Sequence, residues 1–309
     1  MTTADREVPS RESLAQAALW LRVGLGIVFV SGGWNKLGKL LDPLTKETLV
    51  GSYMSTSGYI NAFFQEYLFA EGGLSCLTPW LFLTSLSTFE LISGILLIVG
   101  LAVRPLALIY GFLLWTFVIA LPVVTTPGVE VTVKTYLSPA ILVQIRDICL
   151  SGLMFVLFNL GSGARSLDER LCRCPPVREA VDWNPLGVLL RLSLAAVFIV
   201  TGMFFGMDHI MTFASTPWVL LPIGLLFASG HFIRVAGAAT VAVMLWYMWT
   251  KLNIDKSLIA NLNSIKREFA LIAAGAVAVS LGGGTYFTLL EEAKKARTCV
   301  SSCLALLSK

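Results

Sequence analysis

Apolar runs alternate with short polar links along almost the whole chain. Runs with few charges recur at about 15–37, 79–101, 105–124, 137–160, 185–207, 216–230, 232–250 and 266–283. A helix needs about 20 apolar residues to cross a bilayer. The pattern therefore predicts eight transmembrane helices and an all-α polytopic membrane protein. The sixth run is short, and its entrance "STPWVLLP" carries two prolines, so a kink or an extension into its flanks is expected. Links between the second and third runs and between the sixth and seventh are tight. Those over 38–78 and 251–265 are longer.

Composition supports the same picture. Of 309 residues, 56% are hydrophobic and only 14% charged, where a soluble domain carries about 25% charged residues. Mean hydropathy is +0.78. The net charge of +4 comes from scattered loop residues without a dense basic run, so no nucleic-acid surface is expected. No soluble domain stands out. The opening "MTTADREVPSRES" lacks a clear cleavage pattern and reads as a tail, 1–14, before a retained first helix. Lysine and arginine are in excess on the side holding Arg6, Arg11, Arg104, Arg165, Arg170 and Arg234. That favours cytoplasmic N- and C-termini.

The phrase "LRVGLGIVFVSGGWNKL" at 21–37 returns in weaker form as "LRLSLAAVFIVTGMFFGMDH" at 190–209. Arg22, Phe29 and Gly33 lie 169 positions before Arg191, Phe198 and Gly202. Gly94, Gly100 and Arg104 lie 130 before Gly224, Gly230 and Arg234. Arg146, Asp147, Gly161 and Gly163 lie 121 before Arg267, Glu268, Gly282 and Gly284. Ordered matches with a shrinking offset predict two parallel four-helix repeats, the second with shorter loops. The expected units are 15–168 and 185–290, joined by a cytoplasmic linker at 169–184 and followed by a tail at 291–309.

Charges inside apolar helices are costly, which makes each a candidate functional group. Glu90 lies near the middle of "LTSLSTFELISGILL". A carboxylate there must be protonated or paired with a cation, and Arg22 on the neighbouring helix is the expected partner. The pair could relay protons or contact a quinone headgroup; it could equally pin two helices together. Arg146 and Asp147, in "VQIRDICLSG", lie near the outer face with Lys36, Trp34 and Trp80. Two cations and one acid would suit an oxyanion such as a sulfur oxyacid. Snorkelling side chains and interfacial aromatics would give the same pattern. Leu220 stands where the second repeat would carry Glu90, so any chemistry is expected in the first half.

Other chemistry is poorly supported. His209 and His231 fall at opposite membrane faces and cannot ligate one haem iron, and no metal is expected. Cys172, Cys174, Cys299 and Cys303 share the predicted cytoplasmic side, but their spacing is unusual for a metal site. The runs "SGG" at 31–33, "GSG" at 161–163 and "GGG" at 282–284 suit close packing or helix ends. Phosphate-loop, dinucleotide-binding, metalloprotease and serine-hydrolase motifs are absent from the sequence.

Three stretches, "RVGLGIVFVSGGWNKL", "FELISGILLIVGLAVRP" and "RDICLSGLMFVLFNLGSGARSLD", resemble the DoxX/DoxD family of four-helix membrane proteins. The resemblance covers 15–168, with the second half as a diverged copy. It implies a prokaryotic plasma-membrane subunit passing electrons to quinone, with thiosulfate oxidation at the outer face as the leading reaction. The positions that match are Arg22, Lys36, Glu90, Arg104, Arg146 and Asp147. A small partner subunit of the DoxA type is usual in that family, and no such domain is recognisable in this chain. Two other functions fit the residues: an accessory subunit of a larger membrane redox or photosynthetic complex, and a small-molecule transporter. Quinone, lipid and other membrane subunits are the expected partners.

Overall fold

The computed structural model describes residues 9–60, 62–69, 77–135, 138–172, 175–177, 181–203 and 217–288. Its helices, in chain order, begin with α1 (Arg11–Leu41), α2 (Lys46–Met54), α3 (Ala62–Phe69) and α4 (Pro79–Val99). Next come α5 (Val103–Ile119), α6 (Pro122–Thr125), α7 (Ala140–Leu160) and α8 (Leu167–Cys172). The last are α9 (Trp183–Met203), α10 (Pro217–Ser229), α11 (Ile233–Lys251) and α12 (Leu258–Leu281). One two-residue antiparallel pair, Lys134–Thr135 with Ser138–Pro139, precedes α7. Five helices, α1, α4, α7, α9 and α11, are long and apolar enough to cross a membrane; α5 and part of α10 are apolar but shorter. The protein is thus a multi-pass, all-helical membrane protein.

Each of the eight apolar runs forms a helix, with two differences. The last helix starts at Leu258, not near 266, because Ser257 accepts a hydrogen bond from Ala260 N and caps it. The polar segment "LIANLNSIKRE" is therefore its first half, and Arg267–Glu268 lie well inside the helix rather than near its start. The long first link also holds structure: α2 and α3 both lie within it. Asp208 and His209 lie outside the described residues, as do Cys174, Cys299 and Cys303 and the side chain of Cys172.

Local sequence sets the ends of α4. Thr78 accepts from Leu81 N, Pro79 takes the first turn, and Gly100 at φ 77° closes the last turn onto Leu96 O and Leu97 O. The helix is polar on its inner side. It buries Ser87, Glu90 and Ser93 and exposes Ile92, Ile95 and Val99. That inversion is expected when the surroundings are hydrocarbon and the interior holds the polar groups.

Glycines let the backbones meet. A Cβ on Gly94 would stand 2.7 Å from Val30 N and 3.0 Å from Gly26 O, which brings α1 and α4 into backbone contact. Gly33 repeats this lower down, with Ser87 O 2.7 Å from its would-be Cβ. In the second half, a Cβ on Gly224 would stand 2.8 Å from Ile199 N, joining α10 to α9. Gly237 and Gly275 do the same for α11 and α12. Helix α1 packs on α4 and α12, α9 packs on α10 and α7, and α5 packs on α7. The two halves therefore meet along two seams, α1 with α12 and α7 with α9.

Arg22 is 1% exposed, and its guanidinium caps helix ends. It donates to Leu97 O (3.3 Å) and Ile98 O (2.6 Å) at the end of α4. It also donates to Ala164 O (2.9 Å) and Arg165 O (3.1 Å) after α7. The last carbonyls of a helix have no partner within it, and one planar cation satisfies several here. Arg191 does the same in the second half, reaching Phe227 O (3.4 Å), Ala228 O (3.3 Å), Tyr286 O (2.5 Å) and Phe287 O (2.8 Å).

Candidate functional site

A cavity of about 680 Å³ opens among α1, α4, α5, α7, α11 and α12, beneath the α2–α3 segment. Its size falls within the usual range for small-molecule sites, roughly 300–1,000 Å³. Part of its lining is apolar, with Phe29 from α1, Leu113, Leu114 and Phe117 from α5, and Leu150 from α7. Behind Phe29, the ring of Tyr110 stacks at 3.7 Å, and its hydroxyl is hydrogen-bonded to Ser93 Oγ at 2.6 Å. This fixes the aromatic floor.

The lining is also charged. Lys36, one turn beyond Gly32 on α1, is ion-paired through Nζ with Glu90 Oε2 on α4. The partner of Glu90 is thus Lys36 and not the expected Arg22. Arg22 reaches the C-terminal end of α4, where Nη1 and Nη2 are held by carbonyls, and it does not line the cavity. On α7, Arg146 Nε donates to Asp147 Oδ1 at 2.6 Å, and Nη2 donates to Tyr59 OH at 3.4 Å. Adjacent residues on a helix diverge, so the arginine must fold back to reach its neighbour. Asp147 Oδ2 and Thr135 Oγ1 are buried without a hydrogen-bond partner among the described residues.

The second half supplies a third group. Lys266 and Arg267 of α12 line the same cavity, with Tyr247 and Lys251 of α11. Lys266 Nζ donates to Asn263 Oδ1 at 2.8 Å. Gly32 makes room for this amine: a Cβ there would stand 3.2 Å from Lys266 Nζ and 3.8 Å from Glu90 Oε2. The expectation that the second half stands apart from any chemistry does not match this arrangement. The lining carries six cations, Lys36, Arg146, Lys251, Lys256, Lys266 and Arg267, against two carboxylates, Glu90 and Asp147.

Of the residues singled out from sequence, Lys36, Glu90, Arg146 and Asp147 come together here. Trp34 is 53% exposed and lies outside the lining. Trp80 is likewise outside the lining, donating from Nε1 to Leu40 O at 3.0 Å beneath the Lys46 ammonium. Tyr59, Lys266 and Arg267 were not singled out as site residues. For the last two a signal existed: "KRE" interrupts an otherwise apolar segment, the same cue that marked Glu90. Tyr59 lies in a link whose fold no periodicity announces. Among the described residues, no three His, Cys, Asp or Glu side chains cluster closely enough to hold a metal ion.

A family model described as DoxX matches residues 17–125. That stretch, about a third of the chain, is similar to the DoxX family. The DoxX match runs from α1 through α6, so it includes Lys36 and Glu90 but stops before Arg146, Asp147 and the whole of α12. The matched stretch thus holds the Lys36–Glu90 pair and the apolar side chains of α1 and α5, while Leu150 and the other cations come from sequence beyond it. No curated protein and no solved structure matches the chain.

Proposed function

We propose that this protein is a membrane oxidoreductase subunit in which the cavity receives an oxyanion donor and a quinone as electron acceptor. The observation that carries the reading is that one cavity is lined by both cationic and apolar side chains. The apolar side chains of Phe29, Leu113 and Phe117 suit a quinone ring. Lys36 and Glu90 are placed to contact a carbonyl oxygen and to supply a proton. Arg146 suits the planar, multidentate contact that an oxyanion takes. With thiosulfate as donor, two ions lose one electron each and join through a new S–S bond as tetrathionate. One quinone takes up both electrons and two protons.

The finer architecture belongs to the same proposal. The two halves are copies of one four-helix unit, and the reading has several supports beyond the sequence offsets. Arg22 and Arg191 bind corresponding carbonyls. Ala102 and Phe232, at φ 55° and 50°, start corresponding helices. Arg165 and Phe287, at φ 55° and 51°, follow corresponding ones. With a prokaryotic plasma membrane as the location and cytoplasmic termini, the cavity opens outward. The exposed stripe of Val235, Leu245 and Trp249 on α11 is open to lipid or to other membrane subunits.

Purified protein in vesicles, given thiosulfate and a short-chain quinone, should reduce the quinone only when the donor is present. Arg146→Ala and Glu90→Gln should each slow this by about tenfold or more. No donor-dependent reduction by the unaltered protein, or unchanged rates in both variants, overturns the proposal.

A further inference from the structure

The proposed reading gives Lys36 and Glu90 to one oxygen of a quinone ring, and the second ring oxygen has no partner named. The α2–α3 segment that covers the cavity holds a group suited to it. This cover is a built element. Its Leu49 and Ile60 form a small apolar cluster with Leu40 of α1 and Leu83 of α4, apart from the main core. Gln65 Nε2 donates to Met54 O and Ile60 O, both at 2.6 Å. Between those carbonyls the chain turns tightly: Gly58 N donates to Ser55 O at 2.8 Å, and Ile60 N to Tyr53 O at 2.9 Å. The turn needs its glycine, because a Cβ on Gly58 would meet Tyr53 O and stand 2.7 Å from Ser52 O. Tyr59 is the residue this turn presents.

Tyr59 is half-buried. Its ring stacks on that of Tyr53 at 5.6 Å, and both line the cavity. The phenol oxygen accepts from Arg146 Nη2 at 3.4 Å. A guanidinium has donors and no acceptor, so the phenol cannot return the bond, and its own hydrogen is left for another partner. Among the described residues it has none. The lining beside the cover is apolar, with Ile60 and Leu68 of the cover and Phe82 and Leu83 of α4. What meets the hydroxyl there is an apolar body carrying an acceptor oxygen. A quinone ring has that character: it is flat and apolar, and its carbonyl oxygens only accept.

We infer that Tyr59 is the quinone-binding residue of the cover: its hydroxyl donates to a ring carbonyl, so that a bound quinone ties the α2–α3 segment down over the cavity. The inference rests on the proposed reading for the class of ligand, but the binding it asserts needs no electron donor. Closure follows by linkage, since a ligand held through the cover favours the closed state by the strength of that contact. The cover thereby tells an oxygen-bearing ring from a plain hydrocarbon of the same shape.

The test uses the full chain in phosphatidylcholine nanodiscs without thiosulfate. The probe is 2,3-dimethyl-1,4-naphthoquinone, and 2,3-dimethylnaphthalene is its oxygen-free control. Affinity is read by calorimetry, and closure by hydrogen exchange across the α2–α3 segment. The unaltered protein should bind the quinone more tightly than the naphthalene, and the quinone should slow exchange in the cover. Tyr59→Phe should weaken quinone binding about threefold to tenfold and remove the slowing. Its naphthalene affinity should be unchanged, which shows that the cavity itself is intact. Tyr286→Phe, outside the cavity, should alter none of these. Equal quinone affinity in Tyr59→Phe, or slowing that persists in it, overturns the inference. Sulfate slowing exchange through Tyr59 where the quinone does not assigns the hydroxyl to an oxyanion and overturns it too. Tyr59-dependent quinone binding without any thiosulfate-dependent reduction supports the inference while the redox proposal fails. Donor-dependent reduction at limiting quinone that Tyr59→Phe leaves unaltered does the reverse.

Discussion

Arg22 and Glu90 are both buried charges in apolar helices, and they are accommodated differently. Arg22 spreads its charge over four carbonyl oxygens, two at the end of α4 and two in the link after α7. The α4 carbonyls carry the partial negative charge of a helix C-terminus. Glu90 is ion-paired with Lys36. A structural role for Arg22 has a clear consequence. Arg22→Met leaves several buried carbonyls unpaired and should destabilise the protein by about 3 kcal/mol or more. Arg22→Lys should recover only part of this, since one ammonium cannot reach carbonyls on two elements. Thermal unfolding in detergent checks both, and quinone affinity should be unchanged in whatever fraction stays folded.

At the scale of elements, glycines bring several helix pairs into backbone contact, beside a core of buried large side chains. Lipid tails are as apolar as leucine, so close backbone approach and the dispersion it brings favour association instead. The α1–α4 crossing is the most exposed to test. Gly94→Val would drive a branched side chain into Val30 N and Gly26 O. That overpacking should cost about 1–3 kcal/mol and move α4 away from α1, separating Glu90 from Lys36. Tm should fall, and quinone reduction with it. Retained Tm and full activity would show that the crossing tolerates bulk. The periodicity made α1 and α4 legible as helices. Their contact was not, because a glycine in a sequence reads equally as a packing site or a helix end.

For the molecule as a whole, the cavity is lined by helices from both ends of the chain, and orientation decides which side it serves. The proposed orientation, with cytoplasmic termini, has Arg170 on the cytoplasmic face and the α11–α12 link on the other. Both positions are exposed. With other thiols removed, a membrane-impermeant thiol reagent should label Asp255→Cys in intact cells and Arg170→Cys only after the membrane is opened. The reverse result inverts the topology and turns the cavity inward. The chain could be divided into eight helices from hydropathy alone, yet the link at 38–78 gave no sign that α2, α3 and Tyr59 would cover the cavity. Short helices of mixed polarity leave no clean period.

The sequence by itself determined the helical class, the membrane setting, the helix segments and the recurrence of the arginine, because each depends on local composition and spacing. It also marked Lys36, Glu90, Arg146 and Asp147 as unusual, since a charge in an apolar run is visible without a structure. Only the tertiary structure decided which charges meet. Lys36 took the place expected for Arg22 because Arg22 is held at the Leu97 and Ile98 carbonyls, beyond Glu90 along α4, whereas Lys36 on α1 meets Glu90 itself. Lys266 and Arg267 joined the site because α12 packs on α1, far away in sequence, and Gly32 leaves room for the lysine. Such contacts depend on how helices face one another across the core, which no run of neighbouring residues encodes.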